Sequence, residues 1–254
     1  MDMYSLLKVG LAVIFMLISI IGRADVCDDF KNNRRCDNYS TDYSKETCRR
    51  AESGDVKAMV SASSSAFVYG NWYDFSMEFD KNKRKINKKR IDVDDVETGF
   101  YWLCQGRSAG YRNAMSLLAG YLEEEDSPYY NIDESLKIYR EMKERGFNGA
   151  YMKEARILKS LDKNDEYFKV LQSAWRLNDP YVSSSVAFEL SHAYWFGIGV
   201  VPNMVKSDAW HMVWCSLANK SDCSSFHKEL TVEMKYEAQK LAERYVSDRK
   251  TRKR

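Results

Sequence analysis

Gly106-Arg107-Ser108-Ala109-Gly110 satisfies G-x-S-x-G, the spacing with which α/β-hydrolases aim a serine hydroxyl at a histidine and an oxyanion hole. Such an elbow must be entered from a strand, and the preceding FYWLCQ at 100–105 is apolar enough to read as one. His192, His211 and His227 follow in a chain order that a triad permits. Against this, no alternating strand and helix pattern surrounds the motif, and no glycine-rich oxyanion loop precedes it. Ser108 is therefore the candidate nucleophile of an alternative reading. The competing one makes Gly106 a close-packing position and Gly110 a helix end. Ser225-Phe226-His227-Lys228 and Ser5–Lys8 match S-x-x-K without an accompanying SDN or KTG. With no P-loop, dinucleotide fingerprint or metal-ligand box, no cofactor and no metal are expected.

Six cysteines, Cys27, Cys36, Cys48, Cys104, Cys215 and Cys223, form no CxxC, and an even set in an exported chain reads as disulfides. Export is expected from residues 1–24. Lys8 precedes the 13-residue apolar run 9–21, and Gly22-Arg23-Ala24 puts small residues at −3 and −1 of a cut before Asp25. As a helix the run covers roughly 20 Å, short of the ~30 Å hydrocarbon core, so it predicts a cleaved signal rather than a stable membrane anchor. Localisation is then periplasmic first, secreted second. The 254 residues carry a net charge of only +2, which makes no case for nucleic acid as a partner.

The elements that must position these residues announce themselves by a repeat. Trp102, Tyr139, Trp175 and Trp210 recur at intervals of 37, 36 and 35, and small residues at Ala114, Ala150, Val186-Ala187 and Cys223 share the period. A helix–turn–helix unit has this length, and its faces are buried only when neighbours stack on it. AMSLLAGYLEEED, SPYY and NIDESLKIYREMKERG read as a helix, a break and a second helix, with Asp133 as N-cap and Gly146 at the C-terminal cap. All three prolines fall between proposed helices. The expected fold is all-α, a right-handed α/α solenoid of helix-turn-helix repeats with a C-terminal capping helix opened by Thr231.

Residues 187–218, AFELSHAYWFGIGVVPNMVKSDAWHMVWCSLA, resemble the Sel-one-like repeat, a tetratricopeptide relative: Leu190, Tyr194, Gly197, Gly199, Val200, Lys206 and Trp210 hold the family's positions. Ser191 and Ser207 depart from the Gly and Ala it prefers. Asp95, Gly99, Trp102, Gly110 and Ala114 give a weaker match, and the two intervening copies lack the G-x-G-V turn. The resemblance covers roughly 54–223, about four repeats, preceded by a cysteine-containing segment 25–53 and followed by the helix and basic tail 224–254. It implies a disulfide between Cys215 and Cys223, which have the C-x7-C spacing of some secreted members. Among Cys27, Cys36, Cys48 and Cys104 three pairings stay open.

The spacing between Ala58 and Ala114 exceeds one period by about 20 residues, and the excess lies at 71–94. This insertion carries KNKRKINKKR at 81–90, seven basic residues in ten, followed by acidic Asp92, Asp94, Asp95 and Glu97. It reads first as a solvated loop balanced by its own acidic neighbours. The 17 Tyr and 6 Trp exceed what the core positions need. Trp72, Tyr73, Tyr129, Tyr130 and Tyr181, with Lys83 and Arg84 from the insertion, are the candidate partner-binding residues. The expectation is a non-enzymatic protein that holds a protein or peptide on its concave face. The family resemblance implies an immunity protein neutralising an envelope-targeted toxin, a host-interaction factor, or a β-lactam or peptidoglycan-fragment binder. The alternative from another class is a serine hydrolase using Ser108.

Overall fold

The computed structural model describes residues 25–30, 36, 42–69, 93–125, 127, 129–220 and 229–251. Among them are eleven helices and no strand: α1 (Val26–Asp29), α2 (Asp42–Glu52), α3 (Val56–Tyr69), α4 (Val93–Ser108), α5 (Arg112–Tyr121), α6 (Ile132–Glu144), α7 (Ala150–Ser160), α8 (Asn164–Arg176), α9 (Pro180–Phe196), α10 (Met204–Leu217) and α11 (Val232–Thr251). They fall into two compact units, one ending at Gln105 and the other beginning at Gly106. The expected signal segment 1–24 and the insertion 71–94, apart from its last residues in α4, lie outside the described residues.

In the first unit α2 packs on α3 around Cys48, Ala51, Ala58, Ala62, Ala66 and Trp102. Small residues on α3 let the large indole sit against the helix. Phe30 stacks on Phe100 at 4.9 Å, and Phe67 meets the same ring edge-on at 5.4 Å. A Cβ on Gly99 would come within 2.9 Å of the Phe67 ring, so that glycine is fixed by contact. The disulfides Cys27–Cys104 and Cys36–Cys48, with Cα separations of 5.5 and 5.8 Å, choose one of the three open pairings.

The second unit is a succession of helical hairpins, α5/α6, α7/α8 and α9/α10, each packed on the next and followed by α11 against α10: an α/α solenoid. Each first helix buries a small-residue stripe, including Ala114, Ala150, Ala155, Val186 and Ala187. Of the four rings of the sequence period, Tyr139, Trp175 and Trp210 stand on the second helices α6, α8 and α10, and Trp102 stands on α4. Three are buried and Trp175 is half-buried. Thr231 caps α11 as expected, its hydroxyl accepting from Met234 N at 3.3 Å. The cap of α6 differs from expectation. Asn131, not Asp133, accepts from the Glu134 N–H at 3.1 Å, because the chain is extended at 131 (φ −153°) and already helical at Asp133.

The G-x-G-V turn shows why both its glycines are there. Gly197 caps α9 in the left-handed region at φ 72°, and Gly199 does the same at φ 68°. A Cβ on Gly199 would also overlap the carbonyl oxygen of Asn164, the first residue of α8. The preceding hairpin needs no such turn, since α7 and α8 are joined by three residues with Asp162 left-handed at φ 54°.

Candidate functional site

Ser108 is the exposed last residue of α4, so the strand-to-helix elbow that G-x-S-x-G would need is not formed there. The two glycines take the packing reading. A Cβ on Gly106 would stand 2.5 Å from that of Ala114, and Gly110 ends the helix at φ 71°. His192 lies between the Phe188 and Phe196 rings, at 4.2 and 6.1 Å, and His211 lies against Trp214. His227 and Cys223 lie outside the described residues, while Cys215 is buried on α10.

The solenoid also buries carboxylates between its helices, at positions that no sequence motif marks. Glu154 on α7 is 2% exposed and is held by Arg140 Nε at 2.9 Å and by Lys143, both from α6. Arg107 bonds Glu134 at 3.1 Å and Glu141 at 2.9 Å. Glu189 on α9 accepts from the Tyr167 hydroxyl at 2.6 Å and from Lys159 at 3.1 Å. Glu123, just past α5, pairs with Arg156 of α7 and takes the Ser135 hydroxyl at 3.3 Å. Burial raises the phenols of Tyr139 and Tyr167 well above the usual tyrosine range, and the neighbouring Glu123 and Glu189 push them further. These groups bind helix to helix, and each cation or hydroxyl among them already has a carboxylate partner.

A different region is open. The α6–α7 loop passes the left-handed Gly146 and is tied to the start of α9 by Asn148, whose amide donates to Asp179 at 2.8 Å. Asp179 also caps α9 by accepting from the Tyr181 N–H at 2.8 Å, with Pro180 in the first turn. These constraints hold open a groove of about 450 Å³ between the starts of α5, α7 and α9. Its floor is apolar, with Tyr139, Met142 and Val182 buried beneath it. Tyr181 stands at its rim 93% exposed, alongside the exposed Arg112 and Lys153.

The structure thus brings one sequence candidate, Tyr181, to a concave site. Tyr130, 42% exposed, and the half-buried Tyr129 sit in the α5–α6 connection. Trp72, Tyr73, Lys83 and Arg84 lie outside the described residues. Arg112 and Lys153 were missed. Each stands singly in sequence, and their proximity exists only after the hairpins stack.

No family model matches the chain, and no curated protein matches it. Among solved structures it is similar to that of a protective antigen present in uropathogenic Escherichia coli strains and displaying an SLR fold. The likeness has 13% sequence identity and a TM-score of 0.31, and covers 80% of this chain and 56% of that one. The chain therefore spans a little over half the length of that structure. Among the described residues, no helix is long and apolar enough to cross a membrane.

Proposed function

We propose that this chain is an exported member of the Sel-one-like repeat family that binds a partner polypeptide and performs no chemistry of its own. The observation that carries the reading is Tyr181, a large aromatic 93% exposed at the mouth of a preformed groove in a stack of helical hairpins. Amphipathic rings with few rotatable bonds are the side chains that interfaces use as anchors. The disulfides Cys27–Cys104 and Cys36–Cys48 support an oxidising compartment, and the periplasm is the one we assign. We extend the same chemistry to Cys215 and Cys223. The role that fits an exported binding module best is immunity, in which one toxin aimed at the envelope is held stoichiometrically.

The test is affinity capture from the source cell envelope with the oxidised chain 25–254, set beside a Tyr130→Ala/Tyr181→Ala variant of unchanged helicity. One stoichiometric polypeptide retained by the parent and lost by the variant is expected, and a toxin encoded beside this chain gives immunity. A host polypeptide as the only partner would replace immunity with host interaction. No retained polypeptide, or equal retention by both proteins, overturns the proposal.

A further inference from the structure

Resting on that reading, we infer that the groove between α5, α7 and α9 receives an acidic segment of the partner protein. A carboxylate side chain sits between Arg112 and Lys153, and the segment's backbone crosses the face of Tyr181.

The argument begins with charge. In this solenoid the buried Arg107 and the half-buried Lys143 and Lys159 bond carboxylates, as does the exposed Arg140. Arg112 and Lys153 line the groove, and among the described residues neither forms an ion pair. The one carboxylate at the groove, Asp179, is occupied as the α9 cap and by the Asn148 amide. It offers no ready partner for a basic ligand. An incoming carboxylate meets two cations whose only local counter-charge is already engaged, and a guanidinium suits such a group because it can donate two parallel hydrogen bonds.

Shape narrows the occupant. A volume of about 450 Å³ falls within the range of preformed ligand sites. Yet the groove opens at its rim onto Tyr181, which a small anion seated on the cations would leave bare. An extended peptide covers both, placing an apolar side chain over Met142 and Val182 and an acidic one beside Arg112 and Lys153. Basic peptides are disfavoured by the same cations, so the groove selects by repulsion as well as attraction.

A library of random dodecapeptides is panned on the oxidised chain 25–254, and enriched peptides are measured by fluorescence anisotropy. The expected peptides are rich in Asp and Glu. Their affinity falls about tenfold or more in an Arg112→Gln/Lys153→Gln variant and in Tyr181→Ala, variants whose thermal unfolding matches the parent. Arg112→Glu/Lys153→Glu, panned afresh, turns the selection towards basic peptides. Peptides without acidic enrichment, or acidic peptides indifferent to both variants, overturn this inference. If the capture experiment still yields its Tyr130- and Tyr181-dependent partner, the binding reading survives that loss. Failure to enrich any peptide also overturns it, and inorganic phosphate or acetate displacing nothing separates a peptide site from a free-anion site.

Discussion

Gly199→Ala is the perturbation that tests most directly how the hairpins fit together. At φ 68° any side chain strains the backbone, by about 1–2 kcal/mol for left-handed geometry. A stiffer unfolded chain returns ~0.4–1 kcal/mol of that. Position 199 adds a second cost, because the new methyl would overlap the Asn164 carbonyl oxygen and lie 2.6 Å from its carbon and 2.9 Å from the Phe168 Cβ. The obstacle is backbone at the start of α8, which cannot rotate away, and forced overlaps of this kind cost about 1–3 kcal/mol. The total is about 1.5–4.5 kcal/mol. Gly146→Ala supplies the internal control: it is also left-handed, φ 80°, but has nothing within 4 Å of the added methyl. It carries only the backbone strain, about 0.5–1.5 kcal/mol after the same return. Urea unfolding of the oxidised chain, followed by far-ultraviolet circular dichroism, measures both as shifts in midpoint at constant slope. Equal losses at 146 and 199 would mean that the α9–α10 turn does not press on α8, and the packing argument would fail.

Other consequences follow from the buried charges, the phenols and the disulfides. Glu154→Gln removes a carboxylate that is 2% exposed between Arg140 and Lys143. It should cost about 2–3 kcal/mol in the same assay, below the ~3–5 kcal/mol of a fully stranded buried ion, because Arg140 keeps Glu166. Burial pushes Tyr245 up to about 12, and Tyr139 and Tyr167 are raised as well. Raised phenols favour the folded state while protonated, so their contribution is complete below the unfolded value of 10.0 and declines above it, that of Tyr245 being lost as pH climbs through about 12. The midpoint should therefore fall steeply between pH 10 and 12, and should fall less in Tyr167→Phe. Non-reducing peptide mapping should recover Cys27 joined to Cys104 and Cys36 to Cys48. Opening the first of these, which spans 77 residues, by Cys27→Ser/Cys104→Ser should cost about 4 kcal/mol in the chain-entropy model.

Helical hairpins were legible because their requirements are local. Gly197 and Gly199 are demanded by backbone conformation, and prolines cannot enter a helix interior, so both leave marks at fixed spacing. The α6 cap was misplaced by two residues because Asn131 and Asp133 are equally good capping types, and only the backbone at 131 decides between them. The polar ties left no periodic trace. Glu123 meets Arg156 across 33 residues and Lys159 meets Glu189 across 30, so neither pair recurs at the repeat length. The groove was hidden for the same reason: Arg112, Lys153 and Tyr181 come from three first helices, and no window of sequence contains them together.

The repeat itself is stricter than its aromatics. Ser135 donates to the Ala119 carbonyl, and Ser191 and Ser207 exchange the same bond reciprocally, each contact joining residues 16 apart at 2.9 Å. Register set by these contacts advances by 36 twice over, through Ala119, Ala155 and Ser191 on first helices and through Ser135, Leu171 and Ser207 on second ones. All six are buried, and the serines at 191 and 207, where the Sel-one-like pattern has Gly and Ala, are accommodated because each hydroxyl finds a carbonyl. In that register Tyr139 and Trp175 are equivalent, but the next equivalent residue is His211. Trp210 follows Ile138 and Ala174 instead. A shift of one residue turns a side chain by about 100° around the helix axis. There Trp175 of the preceding repeat meets Trp210 edge-on at 4.8 Å. On the other side Tyr245 of α11 stacks on the same indole at 4.3 Å. The last ring has thus moved from the position that repeats to the one that the closing helix can cover, which is why the aromatic intervals shorten at the end of the array while the backbone period does not.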